Sequence, residues 1–364
     1  MPALIVIVAV TASLLLIPHP VFADIEKRLS QLEQEIEKIR ARKAQTPRDS
    51  ALSLYGSFRP VLTYNDDDEK TTTDIQDGLS YFGLRGSTDV LESTNVFFQG
   101  EWRINIADEG QFDGARLALA GISSNYGKLT LGKQRPPHYL LVGEHIDIFN
   151  HNASPFGYNG TAFSHGDTTA GFDNFFMDNA TMYEYQRNGL RLLAAVRTDG
   201  SRGENTADTF NAGVSWDAGI VYIAAAYVDS TGADKVNNDL VGDQVKIRAL
   251  AFRTTISDLY IAVAHQNIAF KPPTGKDIDR SSMDVSLAYP LRRRFTVKTG
   301  YFDYDDGDKT DSSRSFSGIN LTLEKQLMNN ARIHLEYLYQ GTESSDSMTQ
   351  ISAGLRYDFS SNFL

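Results

Sequence analysis

Three constellations in the 364-residue chain have types and spacing that could do chemistry. Gly121-Ile-Ser-Ser-Asn-Tyr-Gly127-Lys128 approximates a phosphate-cradling loop. It has one residue too many between its glycines and lacks the Ser or Thr after the lysine, so it reads as a hairpin turn. His138, His145, His151 and His165 crowd one stretch without the tight spacing of metal ligands. His334 and Glu336 share one face of any strand and could act as base and acid. Both would face water rather than a lipid substrate. No enzyme activity, cofactor or metal is therefore expected. The remaining chemistry is charge held in place: Arg59 and Arg116 on strand-like segments, and Glu144, Asp147, Asp167, Asp173 and Asp178 in one irregular stretch.

Those charges need a frame, and composition narrows it. Lys+Arg 35 against Asp+Glu 46 gives a net charge of −11, which argues against a nucleic-acid partner. There is no cysteine, which removes disulfides and thiolate chemistry. Only one apolar run, at the start, approaches the length of a membrane helix, so a multi-helix membrane protein is excluded. A membrane β-barrel is not, because its strands alternate and average out to a polar-looking composition.

From about residue 50 the apolar period is two. Phe210, Ala212, Val214 and Trp216 alternate with Asn211, Gly213, Ser215 and Asp217. The same alternation runs through 283–289, 331–339 and 351–359, whereas 220–228 is apolar on both faces. Short breaks such as Asn188-Gly189 and Ser257-Asp258 alternate with long ones such as Asn65–Asp77 and Asp303–Ser313. Tight turns on one rim and long loops on the other, with about sixteen strands, predict an all-β transmembrane antiparallel barrel with a water-filled lumen. A charge facing mid-bilayer lipid costs about 2–4 kcal/mol, so Arg116, Lys246, Arg248, Lys298, Arg332 and Glu336 are expected to face the lumen. The irregular stretch 136–179 is the third long loop. Its length predicts a functional segment folded into the lumen as a constriction.

The N-terminus adds three elements. Ala3 to Ile17 is an apolar run broken by Pro18 and Pro20, and Val21-Phe22-Ala23 offers small residues for cleavage. Residues 1–23 are thus expected to be a signal peptide. Ile25, Leu29, Leu32, Ile36 and Ile39 form a heptad seam, with Arg28 facing Glu33 and Glu35 facing Arg40 of a parallel neighbour. A short coiled-coil helix over 24–40 is expected, then a linker over 41–50 containing the break at Pro47, then the barrel over 51–364.

Ala115-Arg-Leu-Ala-Leu-Ala-Gly-Ile122 and Tyr126-Gly-Lys-Leu-Thr-Leu-Gly-Lys-Gln-Arg135 resemble the fourth and fifth strands of Gram-negative general porins. Ser53-Leu-Tyr-Gly56 and Tyr81-Phe-Gly-Leu-Arg-Gly86 resemble their first two strands. The resemblance covers most of 50–364. It implies a homotrimer of sixteen-stranded barrels in the bacterial outer membrane, passing small hydrophilic solutes and ions by passive diffusion. It also implies a transverse field between wall arginines and loop carboxylates. Arg116 matches the family's wall arginine, Arg59 is in step with Ser53, Tyr55 and Ser57, and Lys133 stands where an arginine often enters the third loop. Glu144, Asp147 and Asp173 are the opposing loop acids. Asn179 replaces an expected arginine, Pro155-Phe156-Gly157 lacks the family's glutamate, and the chain ends Phe363-Leu364 rather than on an aromatic.

The function expected is therefore that of a general diffusion channel. A solute-specific channel would need a stacked aromatic track or a dense arginine ladder, neither evident in the sequence. A barrel-anchored tether or adhesin is the reading from another class, with the coil making periplasmic contacts. The acidic runs Asp66–Glu69 and Asp303–Asp308 are candidates for contact with lipopolysaccharide through divalent cations, or plain solvated loops. Acidic loops hint at a mild cation preference, which charges on the pore wall would override.

Overall fold

The computed structural model describes residues 34, 48–67, 69–107, 110–150, 175–198, 208–236, 239–271, 275–307, 315–342 and 347–363. The expected signal segment, heptad helix and most of the linker lie outside these. Gln34 alone is described there, as helical and exposed.

Strand β1 runs Arg48–Phe58 and resumes as Pro60–Asp66; β2 runs Thr71–Asp77 and resumes as Tyr81–Leu91. Then come β3 (Thr94–Asn105), β4 (Gln111–Ser124), β5 (Gly127–Gln134), β6 (Met177–Arg187), β7 (Leu190–Arg197) and β8 (Thr209–Asp217). They are followed by β9 (Val221–Val236), β10 (Asp239–Ile256), β11 (Leu259–Lys271) and β12 (Ile278–Pro290). The last four are β13 (Phe295–Asp305), β14 (Phe316–Met328), β15 (Ala331–Thr342) and β16 (Ser347–Asn362). Eighteen strand segments among the described residues thus form sixteen antiparallel strands, because two strands are each broken once. Each pairs with its sequence neighbour, and β16 closes the ring along both halves of β1, through Ser53↔Asn362 and Leu62↔Ala353. No open edge is left among them, which is what lets strands cross a membrane.

The two broken strands break at one level. Gly78 donates its N–H to the Arg59 carbonyl at 2.7 Å, and Arg59 donates its own to Ser80 Oγ at 2.8 Å. These bonds replace the ladder where Arg59 interrupts β1, so the backbone stays satisfied.

Alternation sorts the side chains as expected for 209–217, 283–289, 331–339 and 351–359. Leu62, Leu321 and Leu335 expose 52, 51 and 53% of their surface on the outer wall, part of an apolar girdle suited to lipid or to a neighbouring protomer. The short turns expected from sequence all join an even-numbered strand to the next odd one, and so share a rim. At the Asn188-Gly189 turn both residues take positive φ, 50° and 81°, as a tight hairpin demands.

One expectation fails. Lys246 and Arg248 lie in register with Asp229 and Tyr227, on the outer wall, while Val245, Ile247, Ala249 and Ala251 are buried on the inner one. The inner face of β10 is covered by the third loop and must be apolar. The two cations stand far from the short-turn rim, near headgroup level, where a lipid-side charge costs roughly 0–1 kcal/mol.

Candidate functional site

The third loop enters the barrel directly after β5. Leu140 N–H bonds the Pro136 carbonyl, and a π-helical turn, Tyr139–Gly143, passes into a helical turn, Glu144–Ile146. Leu141, Val142 and Ile146 are fully buried. They pack on small lumen-facing residues of β8–β12, including Gly213, Ala226, Ala249 and Ala264. Larger residues there would leave no room, since a Cβ on Gly213 would lie 2.6 Å from Leu141 Cδ1.

Successive wall strands hold the loop backbone. Asn211 Oδ1 accepts from His138 N–H at 3.0 Å, and Tyr222 donates to the Leu141 carbonyl at 2.8 Å. Tyr260 donates to the His145 carbonyl at 2.5 Å and Ser286 to that of Ile146 at 2.9 Å. Lys298 Nζ donates to the Ile148 carbonyl at 2.9 Å, and Asn150 N–H donates to Glu336 Oε1 at 2.8 Å. Thr322 donates to the same Glu336 oxygen at 2.9 Å. The buried loop is thus bonded to strands from β8 to β15, while β10 offers it alanine. His334 and Glu336 lie beneath it, Nε2 to Oε2 3.9 Å and almost wholly buried, so they form part of the wall.

Burial leaves its mark on the loop's titratable groups. Desolvation pushes His138 down to about 4, against a raising hydrogen bond from Gln266 at 3.0 Å. His145 is pushed down to about 4 by desolvation and then by Arg253, and its ring lies 4.1 Å from that of Tyr222. Tyr139 is raised, first by desolvation and then by Asp147, which accepts its hydroxyl at 2.8 Å. Both histidines are neutral at neutral pH. Among the described residues no group of three or more acids and histidines could hold a metal ion; His151 and His165 lie outside them.

With the loop seated on β8–β12, the opening is off-centre. A cavity of about 540 Å³ remains between loop residues 147–150 and the wall of β1–β5, β13, β15 and β16. Among the described residues, eight cations line it: Arg59, Arg103, Arg116, Lys133, Arg135, Lys298, Arg332 and Arg356. The carboxylates lining it are Glu101 and Asp147. Arg116 Nε meets Glu101 at 2.8 Å and its guanidinium lies 4.7 Å from the Tyr81 ring. Arg135 lies over Tyr139 at 4.4 Å and over Phe176 at 5.1 Å. Opposite them, Lys298 and Arg332 share Glu324 at 3.1 and 3.5 Å, and Arg332 and Arg356 share Asp358 at 3.1 and 2.9 Å. These pairs fix the cations without matching their number.

Of the residues singled out from sequence, Arg59, Arg116, Lys133 and Asp147 come together here. Glu144 is exposed on its helical turn and does not border the cavity. Asp173 lies outside the described residues. Arg103, Arg135 and Arg356 line the cavity without any local sequence signal, and with Arg332 they make an arginine ladder that is not evident in the sequence. Its members lie up to 253 residues apart along the chain (Arg103 to Arg356), so no local pattern displays it.

A family model described as Gram-negative porin matches residues 40–362. Porin-like protein L of Photobacterium profundum is 25% identical over 329 residues, 85% of this chain and 92% of that protein. The anion-selective porin from Comamonas acidovorans superposes with a TM-score of 0.72 at 18% identity, covering 85% of this chain and all of that one. The trimer form of OmpT, an outer membrane protein of Vibrio cholerae, gives 0.64 at 19% identity, with 85 and 99% covered. OmpF of Salmonella typhi, in complex with daunomycin, gives 0.66 at 15% identity, with 85 and 97% covered. At such identities the solved structures speak to the fold.

Proposed function

That the chain belongs to the Gram-negative porin family, and forms a water-filled outer-membrane channel for passive diffusion of small hydrophilic solutes, is the premise from which we propose that its constriction prefers anions. The supporting observation is the charge on the cavity: eight cations against Glu101 and Asp147 among the described residues. Opposed charge sets selectivity in a narrow pore, and here the basic wall dominates. Aromatic rings under Arg116 and Arg135 hold the guanidinium planes without neutralising them. Arg59, Arg116 and Lys133 form the basic wall, and Asp147 is the loop's acid. No reaction is assigned; the protein is a channel rather than an enzyme.

The test is the reversal potential across a salt gradient in planar bilayers. Wild type should reverse with the sign of chloride over potassium, and Arg116→Ala should lower that ratio about fourfold, because one charge about 10 Å away in water shifts anion and cation by about 0.4 kcal/mol in opposite directions. A cation-selective wild type would overturn the reading.

The ladder also favours a second reading, a channel with some specificity for small polyanions. Block of conductance by a di- or trianion that saturates would support it; strictly linear flux would not.

Assembly follows the trimer form described for OmpT, with 1–23 as export signal and the 24–40 coil in the periplasm. Contact with outer-membrane lipid, lipopolysaccharide included, completes the proposed partners. Cross-linking in intact membranes that gave monomers alone would refute the trimer.

A further inference from the structure

We propose that the outer wall over β8–β11 carries a binding site for one phosphate-bearing, multi-acyl lipid of the outer leaflet. The proposal rests on the outer-membrane location of the barrel and is independent of the ion preference of its lumen.

The head of the site is Arg248 and Lys246, the two cations that the register turns away from the lumen. Arg248 lies directly across from Tyr227 on one side and Asn267 on the other. Lys246 lies across from Asp229, with Nζ to Oδ2 3.7 Å. The same carboxylate accepts from the Tyr227 hydroxyl at 3.1 Å and from Gln244 at 3.0 Å. Tyrosine, lysine and a bonded carboxylate are thus arrayed at one height. From the short turn after Ile256 to Arg248, a strand tilted by about 40° climbs roughly 20 Å, close to the top of an apolar band about 25 Å tall. That is where lipid phosphates lie, on the long-loop side.

Directly below the cations the outer wall is hollowed. Ala225 lies between Val214 and Leu250 in the register. Two apolar grooves meet there. One, of about 490 Å³, runs between Trp216, Ile223 and Phe252. The other, of about 560 Å³, lies over Ala194 and Ala212 between Tyr183 and Tyr227. These alanines point outward, so the packing of the third loop does not explain their size. Large aliphatic residues would make an ordinary lipid-facing wall. The small ones leave furrows that an extended acyl chain fills, and the charges above suit the phosphate that such chains carry. Two furrows under one cationic head fit a lipid with several chains.

The test uses the full-length barrel purified in mild detergent and native mass spectrometry, with diphosphoryl lipid A as probe. Wild type should retain one lipid A per barrel, and Lys246→Glu/Arg248→Glu should cut retention at least tenfold. Ala225→Trp should cut it as well, and phosphate-free lipid A should not be retained by any of them. Lys246→Gln/Arg248→Gln serves if the charge reversal does not insert, and unchanged reversal potentials show that each barrel is intact. Equal retention by wild type and the double variant would overturn the proposal. So would retention of phosphate-free lipid A, or displacement of the lipid by millimolar inorganic phosphate, which would make free phosphate the occupant.

Discussion

Arg116 reaches Glu101 across the β3–β4 ladder, Nε to Oε1 2.8 Å, from the one residue of β4 that a β-bulge leaves unmatched between Ala115 and Leu117. Glu101 opposes Leu117 and Trp102 opposes Ala115, so Arg116 is the extra residue between them. A bulge re-aims a side chain, and here it turns into the lumen an arginine that strict alternation with Ala118 and Ala120 would send toward lipid. The pair therefore works in opposition. Arg116→Ala should weaken anion preference and Glu101→Gln should strengthen it, each by about fourfold in the permeability ratio. Reversal potentials of the two variants moving in the same direction would contradict this.

The bulge also shows where the sequence stops being legible. Period-two alternation reports faces wherever lipid is on one side and water on the other, as in β8, β15 and β16. It fails over 220–228 because Tyr222, Ala224, Ala226 and Val228 face not water but the buried third loop. The same cover explains Lys246 and Arg248. Their strand has an apolar inner face, and a rule that sends every charge inward reads it backwards. Arg116 is placed in the lumen by the cost of a lipid-facing charge and at the wall by resemblance, since its bulge leaves no periodic trace. Arg332 and Lys298 were legible as lumen residues, but nothing local says that they meet Arg59 and Arg116 around one opening.

Glu336 is the loop's last latch. Its Oε1 accepts from Asn150 N–H at 2.8 Å and from Thr322 at 2.9 Å. Leaving a buried donor without its acceptor costs about 1–3 kcal/mol. Glu336→Leu should therefore free the stretch around Asn150 while the apolar helix stays seated on β8–β12. Single-channel records should show larger or flickering conductance with the unfolding midpoint little changed. A silent record at unchanged stability would show that the latch does not hold the opening.

His138 gives the folded barrel a dependence on pH. Its folded value, about 4, lies below the ordinary 6.5, so the unfolded chain binds more protons between those values. Stability therefore rises with pH across that window and is lost as pH falls through it. The full difference is about 3 kcal/mol. His145, lowered for the same main reason, adds to the slope. Unfolding followed by gel mobility at pH 7 and pH 4.5 should show a smaller loss for His138→Gln than for wild type. Equal losses would mean that His138 already titrates normally in the folded barrel.

Two glycines separate loop seating from barrel folding. A Cβ on Gly300 of β13 would fall 2.6 Å from Phe149 Cζ and 3.1 Å from the Val285 carbonyl. Phe149 belongs to the loop and can yield by moving its ring, whereas the carbonyl needs to give only slightly. A Cβ on Gly318 of β14 would meet the Phe302 ring and the Tyr339 carbonyl oxygen, neither of which can withdraw without disturbing the sheet. The same substitution should thus have different outcomes. Gly300→Ala should cost about 1–3 kcal/mol, the ordinary range for overpacking, and widen the opening as Phe149 leaves its place. Gly318→Ala should reduce the yield of folded barrel and leave the conductance of the surviving fraction unchanged. Conductance histograms and folded yields measured together decide it, and identical behaviour of the two variants would show that Phe149 is as fixed as the wall beneath it.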